Sequence, residues 1–180
     1  MTQRPGESPH GGQLMIGGTF SIASNNGLDE IGVWDDSVTD LIAEAHLLGI
    51  LPTVFGSKGW GEDADSGRLI QAWSGIVGLT SDMLPYVGPL DPRNTDRTIN
   101  SRVRSAHGEF VVGGYGGDGM VFAWLSGVAV GLMALGIDQE DIPMSPGIPA
   151  GPVASWLPAS FNPAFDRIKN SSMLDAAAYL

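Results

Sequence analysis

The sequence predicts an α+β fold, and three observations predict it. Short apolar runs bounded by glycine or proline recur at strand length, as at residues 13–18 and 109–113. Two longer stretches read as helices. In residues 38–48, Val38, Leu41, Ile42, Ala45 and Leu48 fall on one face at i, i+3, i+4, i+7 and i+10, and residues 120–135 are apolar all round. The order is strand, strand, helix, strand, and then a separate strand, glycine turn and helix. It suggests an α+β piece running into the last strand and helix of another sheet.

Taken in order, residues 13–18 are a strand entering a glycine bend and residues 29–34 a second extended piece. Asp35 or Asp36 is expected to cap the helix that follows, which should end at Gly49, ahead of Pro52. Residues 50–55 then lead out into a loop, 56–67, that mixes acids with Trp60. A strand is expected at 67–75, an extended piece at 84–88, and a long polar loop at 89–108. Residues 109–113 form a short buried strand, and a helix buried between layers follows at 120–135. Beyond it come Pro143, Pro146, Pro149, Pro152 and Pro158, and proline at that density cannot build a central strand because each one removes a ladder donor. Trp156 and Phe161 either dock this tail on the body or leave it loose. No internal repeat is present.

Composition excludes several functions. The 180 residues are 43% hydrophobic, which is no disordered tail, and only 16% charged, against about 25% on average. A chain so poor in charge is expected to cover part of its surface with something other than water, which points to self-association through an exposed apolar surface. The formal net charge of −11 argues against nucleic acid, whose phosphates need clustered Lys and Arg. The one basic cluster, Arg93, Arg97, Arg102 and Arg104, sits in the polar loop and reads as solvated surface. With no cysteine there is no disulfide framework and no thiolate nucleophile or metal site. His10, His46 and His107 are too scattered to form a metal site. Ser74, Ser81 and Ser126 lack a nearby histidine and the nucleophile-elbow spacing. The opening residues hold no apolar run, so a secretory signal is absent and a cytoplasmic location is expected. Residues 119–137 carry no charge and reach the length of a membrane span, but five are glycine or serine, acids flank both ends and basic anchors are missing.

Residues 113–119 read GGYGGDG, and from Gly114 they fit G-x-G-x-x-G in a strand–turn–helix context. A first dinucleotide-binding βαβ unit would need another strand after the helix, ending in an acid, and the proline-rich tail does not supply it. A complete NAD-binding domain is therefore a minor alternative. A second motif precedes this one, W-x-G-x-x-G-x-T-x-D-x-x-P-x-x-G over residues 73–88.

Together the two motifs resemble the C-terminal part of the FAD-dependent D-amino-acid oxidase and glycine oxidase superfamily. Thr2-Gln-Arg-Pro5 and residues 12–18 are similar to substrate-domain strands of its fungal members. The resemblance covers residues 2–136 and implies three parts: a substrate-domain portion at 1–74, the C-terminal portion of the FAD-binding domain at 75–137, and a proline-rich tail at 138–180. It implies that the glycine turn wraps the isoalloxazine end of FAD, with Gly114, Tyr115, Gly116, Gly117, Asp118, Gly119 and Met120 as cofactor-binding residues. Backbone amides at a helix front can stabilise the negative charge that gathers at N1 and the C2 carbonyl when a flavin takes hydride at N5. Bare glycines let the ring reach those amides.

Asp118 either steers a proton near the flavin or, the preferred assignment, caps the helix beginning at Gly119. Tyr115 lines the flavin edge or packs. Asp82 resembles a catalytic carboxylate, but within T-x-D-x-x-P it is expected to hold a turn through local amides. Trp73 faces substrate or core, and Val77 and Val121 are expected to face substrate. Relatives that oxidise amino acids present Arg or Lys at the positions of Val77 and Val121, so their absence here favours a neutral or amine substrate. No catalytic acid or base is identifiable. The resemblance also implies that the N-terminal dinucleotide-binding half is missing, making the chain a C-terminal fragment, inactive alone. The rival from another class is a non-catalytic acidic interaction protein derived from such a fragment.

Overall fold

The computed structural model describes residues 1–61, 68–97, 108–172 and 175. Arg102, Arg104, His107 and residues 62–67 of the 56–67 loop lie outside the described residues. The chain divides into two units, Met1–Ile76 and Val77–Leu180. Each mixes helices with a small antiparallel sheet.

In unit 1, β1 (Thr2–Gln3) pairs with β2 (Leu14–Met15), where the first strand is expected. The other two strands expected in this unit do not form. Residues 24–30 make 3-10 turns, with Asn25 and Asn26 at positive φ, Ile31 and Gly32 form a further turn, so 29–34 is no strand, and residues 69–75 have no regular structure. Helix α1 (Leu41–Trp60) begins later and ends later than its sequence suggests. Its cap is Asp40, whose Oδ1 accepts from the Ala43 amide at 2.8 Å. Asp35 instead closes its own turn on the Ser37 amide. The helix runs through Pro52 to a break at Gly56 (φ 64°). Pro52 removes one backbone donor, while the Thr53 hydroxyl bonds the Gly49 carbonyl at 2.8 Å. Among the described residues of this unit only Ala23 and Gly27 are buried. The apolar face of α1, with Leu41 and Ile42, is exposed.

Unit 2 holds the core. Strand β3 (Tyr86–Pro89) pairs antiparallel with β4 (Phe110–Gly113), Tyr86 opposite Gly113 and Pro89 opposite Phe110. Between them lies a short helix, α2 (Pro92–Thr95), capped by Asp91. Arg93 and Arg97 of the basic cluster pair with Asp91 and Glu109. Helix α3 (Gly119–Leu135) packs on both strands and stops at Gly136 (φ 70°). There the Ile137 amide bonds the Leu132 carbonyl and the Gly136 amide bonds that of Met133, the pair of bonds by which a left-handed glycine closes a helix end. At 17 residues α3 is about 25 Å long, and among the described residues no helix is long and apolar enough to cross a membrane.

The proline-rich tail completes this core. Its prolines open 3-10 turns at Val153–Ser155 and Ala159–Phe161, and α4 (Phe165–Lys169) follows. Val153 and Phe161 are buried with Val87 of β3 and Ala129 of α3, and Phe161 meets the Phe122 ring edge-on at 5.6 Å. Met133, Trp156 and Leu157 pack around them.

Candidate functional site

The two glycine motifs, 26 residues apart in sequence, meet in space. The Gly116 amide donates to the Gly78 carbonyl at 3.0 Å. Gly114 has a φ of 73°, and a Cβ there would stand 2.6 Å from the Thr80 methyl. A Cβ on Gly116 would touch Leu79 and Met83 at ordinary contact distance. Only glycine allows the turn to lie this close on the Thr80–Pro85 segment.

That segment is itself tightly bonded. Buried Thr80 donates its hydroxyl to the Leu84 carbonyl at 2.8 Å, and the Met83 amide bonds the Thr80 carbonyl. Asp82 accepts from the Leu84 amide and, through both oxygens, from Arg167 of α4, at 2.7 and 2.9 Å. The Arg167 hydrogen bonds hold the Asp82 carboxyl down at about 2. A carboxylate so held is a structural anchor, as its place in T-x-D-x-x-P suggests.

Arg167 has no counterpart among the residues singled out from the sequence. Its Nη2 also donates to the Leu84 carbonyl at 2.6 Å, and its Nη1 to the carbonyls of Pro85 and Asn162 at 3.1 and 3.2 Å. All five guanidinium donors are thus used. The group also stacks 4.3 Å over the Tyr86 ring. One sequence gives no signal for a partner 85 residues away.

At the front of α3, Val121 and Phe122 both donate to the Asp118 carbonyl, and the Asp118 amide bonds the Tyr115 carbonyl. The amides of Gly117, Gly119 and Met120 have no partner among the described residues. Asp118 occupies the cap position, but its side chain makes no capping bond. This corrects the assignment made from sequence: with φ −89° and ψ 23° the residue is not in the extended conformation that aims a capping side chain at the helix amides. The helix front is consequently left open.

Tyr115 is half-buried, its ring within 4 Å of a Cβ position on Gly119. Gly117 borders open space, and Met120 is 93% exposed. Val77 and Val121 are 60% and 70% exposed. Trp73 belongs to unit 1, where its ring lies against Gly75 and is 77% exposed. Two clefts, one of about 530 Å³ in unit 1 and one of about 230 Å³ lined by Val87, Met133, Val153 and Leu157, include no residue of the turn. The turn stands on an exposed face of unit 2.

Strand, bare glycine turn and apolar helix thus leave three backbone amides without a partner among the described residues. A family model described as FAD-dependent oxidoreductase matches residues 4–131. The chain belongs to that family, whose intact members use FAD. No curated protein and no solved structure matches it.

Proposed function

We propose that the chain supplies the flavin-contacting part of an oxidoreductase acting on an amine or amino-acid-like substrate. The observation that carries this is the open set of amides at Gly117, Gly119 and Met120, at the positive end of a 17-residue helix. FAD, when bound, supplies the redox chemistry by accepting a hydride. The three amides fit its electron-rich pyrimidine edge, and Gly117 offers no Cβ to hold a ring off. Gly114 and Gly116 keep the turn down on Thr80 and Met83, so the donors face outward. Tyr115 flanks the ring and Asp118 stands at the helix front. Val77 and Val121, both of unit 2, face the substrate. Neither valine can pair with a carboxylate, which supports an amine.

The ADP end of the cofactor requires residues other than these, since β4, the turn and α3 are the only strand–glycine turn–helix among the described residues. Alone, the 180 residues act as a fragment: they bind flavin weakly and turn over no substrate. The test is a titration of the ¹⁵N-labelled chain with FAD, FMN and riboflavin at millimolar concentration. The cross-peaks of Gly117, Gly119 and Met120 should move with all three, because the shared isoalloxazine is what is recognised, and the flavin absorption band should shift. Movement with none of them, or only at residues remote from the turn, overturns the proposal.

One observation favours a second function, that of an acidic interaction protein. Met120, Trp124 and Leu135 of α3 are exposed, as are Trp34 and Leu41 of unit 1. Such surface drives self-association. Concentration-dependent assembly together with no flavin response would select it.

A further inference from the structure

We propose that Arg167, on the proline-rich tail, is a positioning residue for the glycine turn and acts through Asp82. The proposal rests on the flavin reading for its functional meaning, but its structural content stands by itself.

The route is continuous. Arg167 grips both Asp82 oxygens and the carbonyls of Leu84 and Pro85. The Leu84 carbonyl is shared with the Thr80 hydroxyl. Thr80 is the residue on which Gly114 rests, and Met83, held at φ 57° by this bonded turn, touches the Cβ position of Gly116. The Gly78 carbonyl, two residues before Thr80, takes the Gly116 amide. A second link runs from just beyond the end of α4: the Ser171 hydroxyl donates to the Arg167 carbonyl and bonds the Tyr86 hydroxyl at 2.9 Å. The tail thus fixes the bed under the turn, and the bed fixes which amides point outward.

A guanidinium is needed because five donors in a rigid plane meet five acceptors while one face stacks on Tyr86. An ammonium has three donors and no plane. Loss of Arg167 leaves the Leu84 and Pro85 carbonyls short of donors and frees Asp82 to move.

The test uses the full chain and needs no ligand. Amide hydrogen exchange is measured by ¹⁵N spectroscopy in the wild type and in R167M, R167K, D82N and R167M/D82N. Protection of the Gly116 amide should fall in R167M by about tenfold more than that of Val130 within α3, since a local opening exposes the turn before the helix. R167K should recover only part of it. The double variant should match R167M, because one pathway is removed once. An equal loss of protection at Gly116 and Val130 in every variant means Arg167 merely stabilises the unit and overturns the proposal. So does additivity of R167M and D82N. Should R167M fail to fold, the same comparison is made with R167K and D82N. The flavin titration of the wild type decides the functional meaning separately, so failure of one leaves the other measurable.

Discussion

Replacing Gly114 by alanine tests the close approach on which the candidate site depends. At φ 73° an alanine pays left-handed strain of about 1 kcal/mol. Its Cβ would also stand 2.6 Å from the methyl of Thr80, a buried residue whose hydroxyl is committed to Leu84. Moving that methyl to ordinary contact distance overpacks the segment by about 2 kcal/mol, so G114A should lose about 3 kcal/mol. T80S keeps the hydroxyl and deletes the methyl, costing about 1 kcal/mol alone. In the double variant the overlap vanishes, leaving strain plus lost methyl, about 2 kcal/mol where additivity predicts about 4. G117A, with open space around it, should cost backbone strain alone, about 2 kcal/mol, because φ 105° lies outside the left-handed helical well. The assay is urea unfolding read at the Val87 and Ala129 cross-peaks, which report unit 2 by itself. Should T80S and G114A prove additive, the turn does not rest on Thr80 as described.

The Asp82 anchor predicts a pH dependence. Its folded value of about 2 lies below the ordinary 3.8, so its stabilisation is present above pH 4 and disappears as pH falls toward 2. With the side chain 40% exposed, solvent screening reduces this to about 1 kcal/mol. Acid titration of unit 2 stability should show this loss in the wild type and a flatter curve in D82N. F161A should lower the stability of unit 2 by about 3 kcal/mol, because it removes a buried ring that meets Phe122 edge-on. The same urea titration measures it.

Strand β4, the glycine turn and α3 were legible because each carries a strong local signal. Residues 110–113 are apolar at strand length, the glycines demand positive φ, and the apolar run of α3 is stopped by Gly136. Local chemistry misled where two devices competed. The cap was expected at Asp35 or Asp36, but it is Asp40 that reaches a helix amide, while Asp35 closes a turn. Pro52 was expected to keep the helix from continuing, yet α1 runs past it. The apolar residues at 69–75 have the composition of a strand but pair with no strand among the described residues. At the site, the motifs were visible separately. Their contact through Gly78 and Thr80, and the hold of Arg167 on the first of them at Asp82, Leu84 and Pro85, depend on pairings across tens of residues that periodicity does not encode.

The stretch that inheritance marks and the stretch that must fold together have different lengths. The family match stops at residue 131, inside α3 and before the glycine that closes the helix. Val153, Phe161 and the guanidinium at 167 all come from beyond it. A protein trimmed to the matched region would lose half of its interior wall and the brace beneath its glycines, so boundaries for expression or for transplanting this module belong past Ser171.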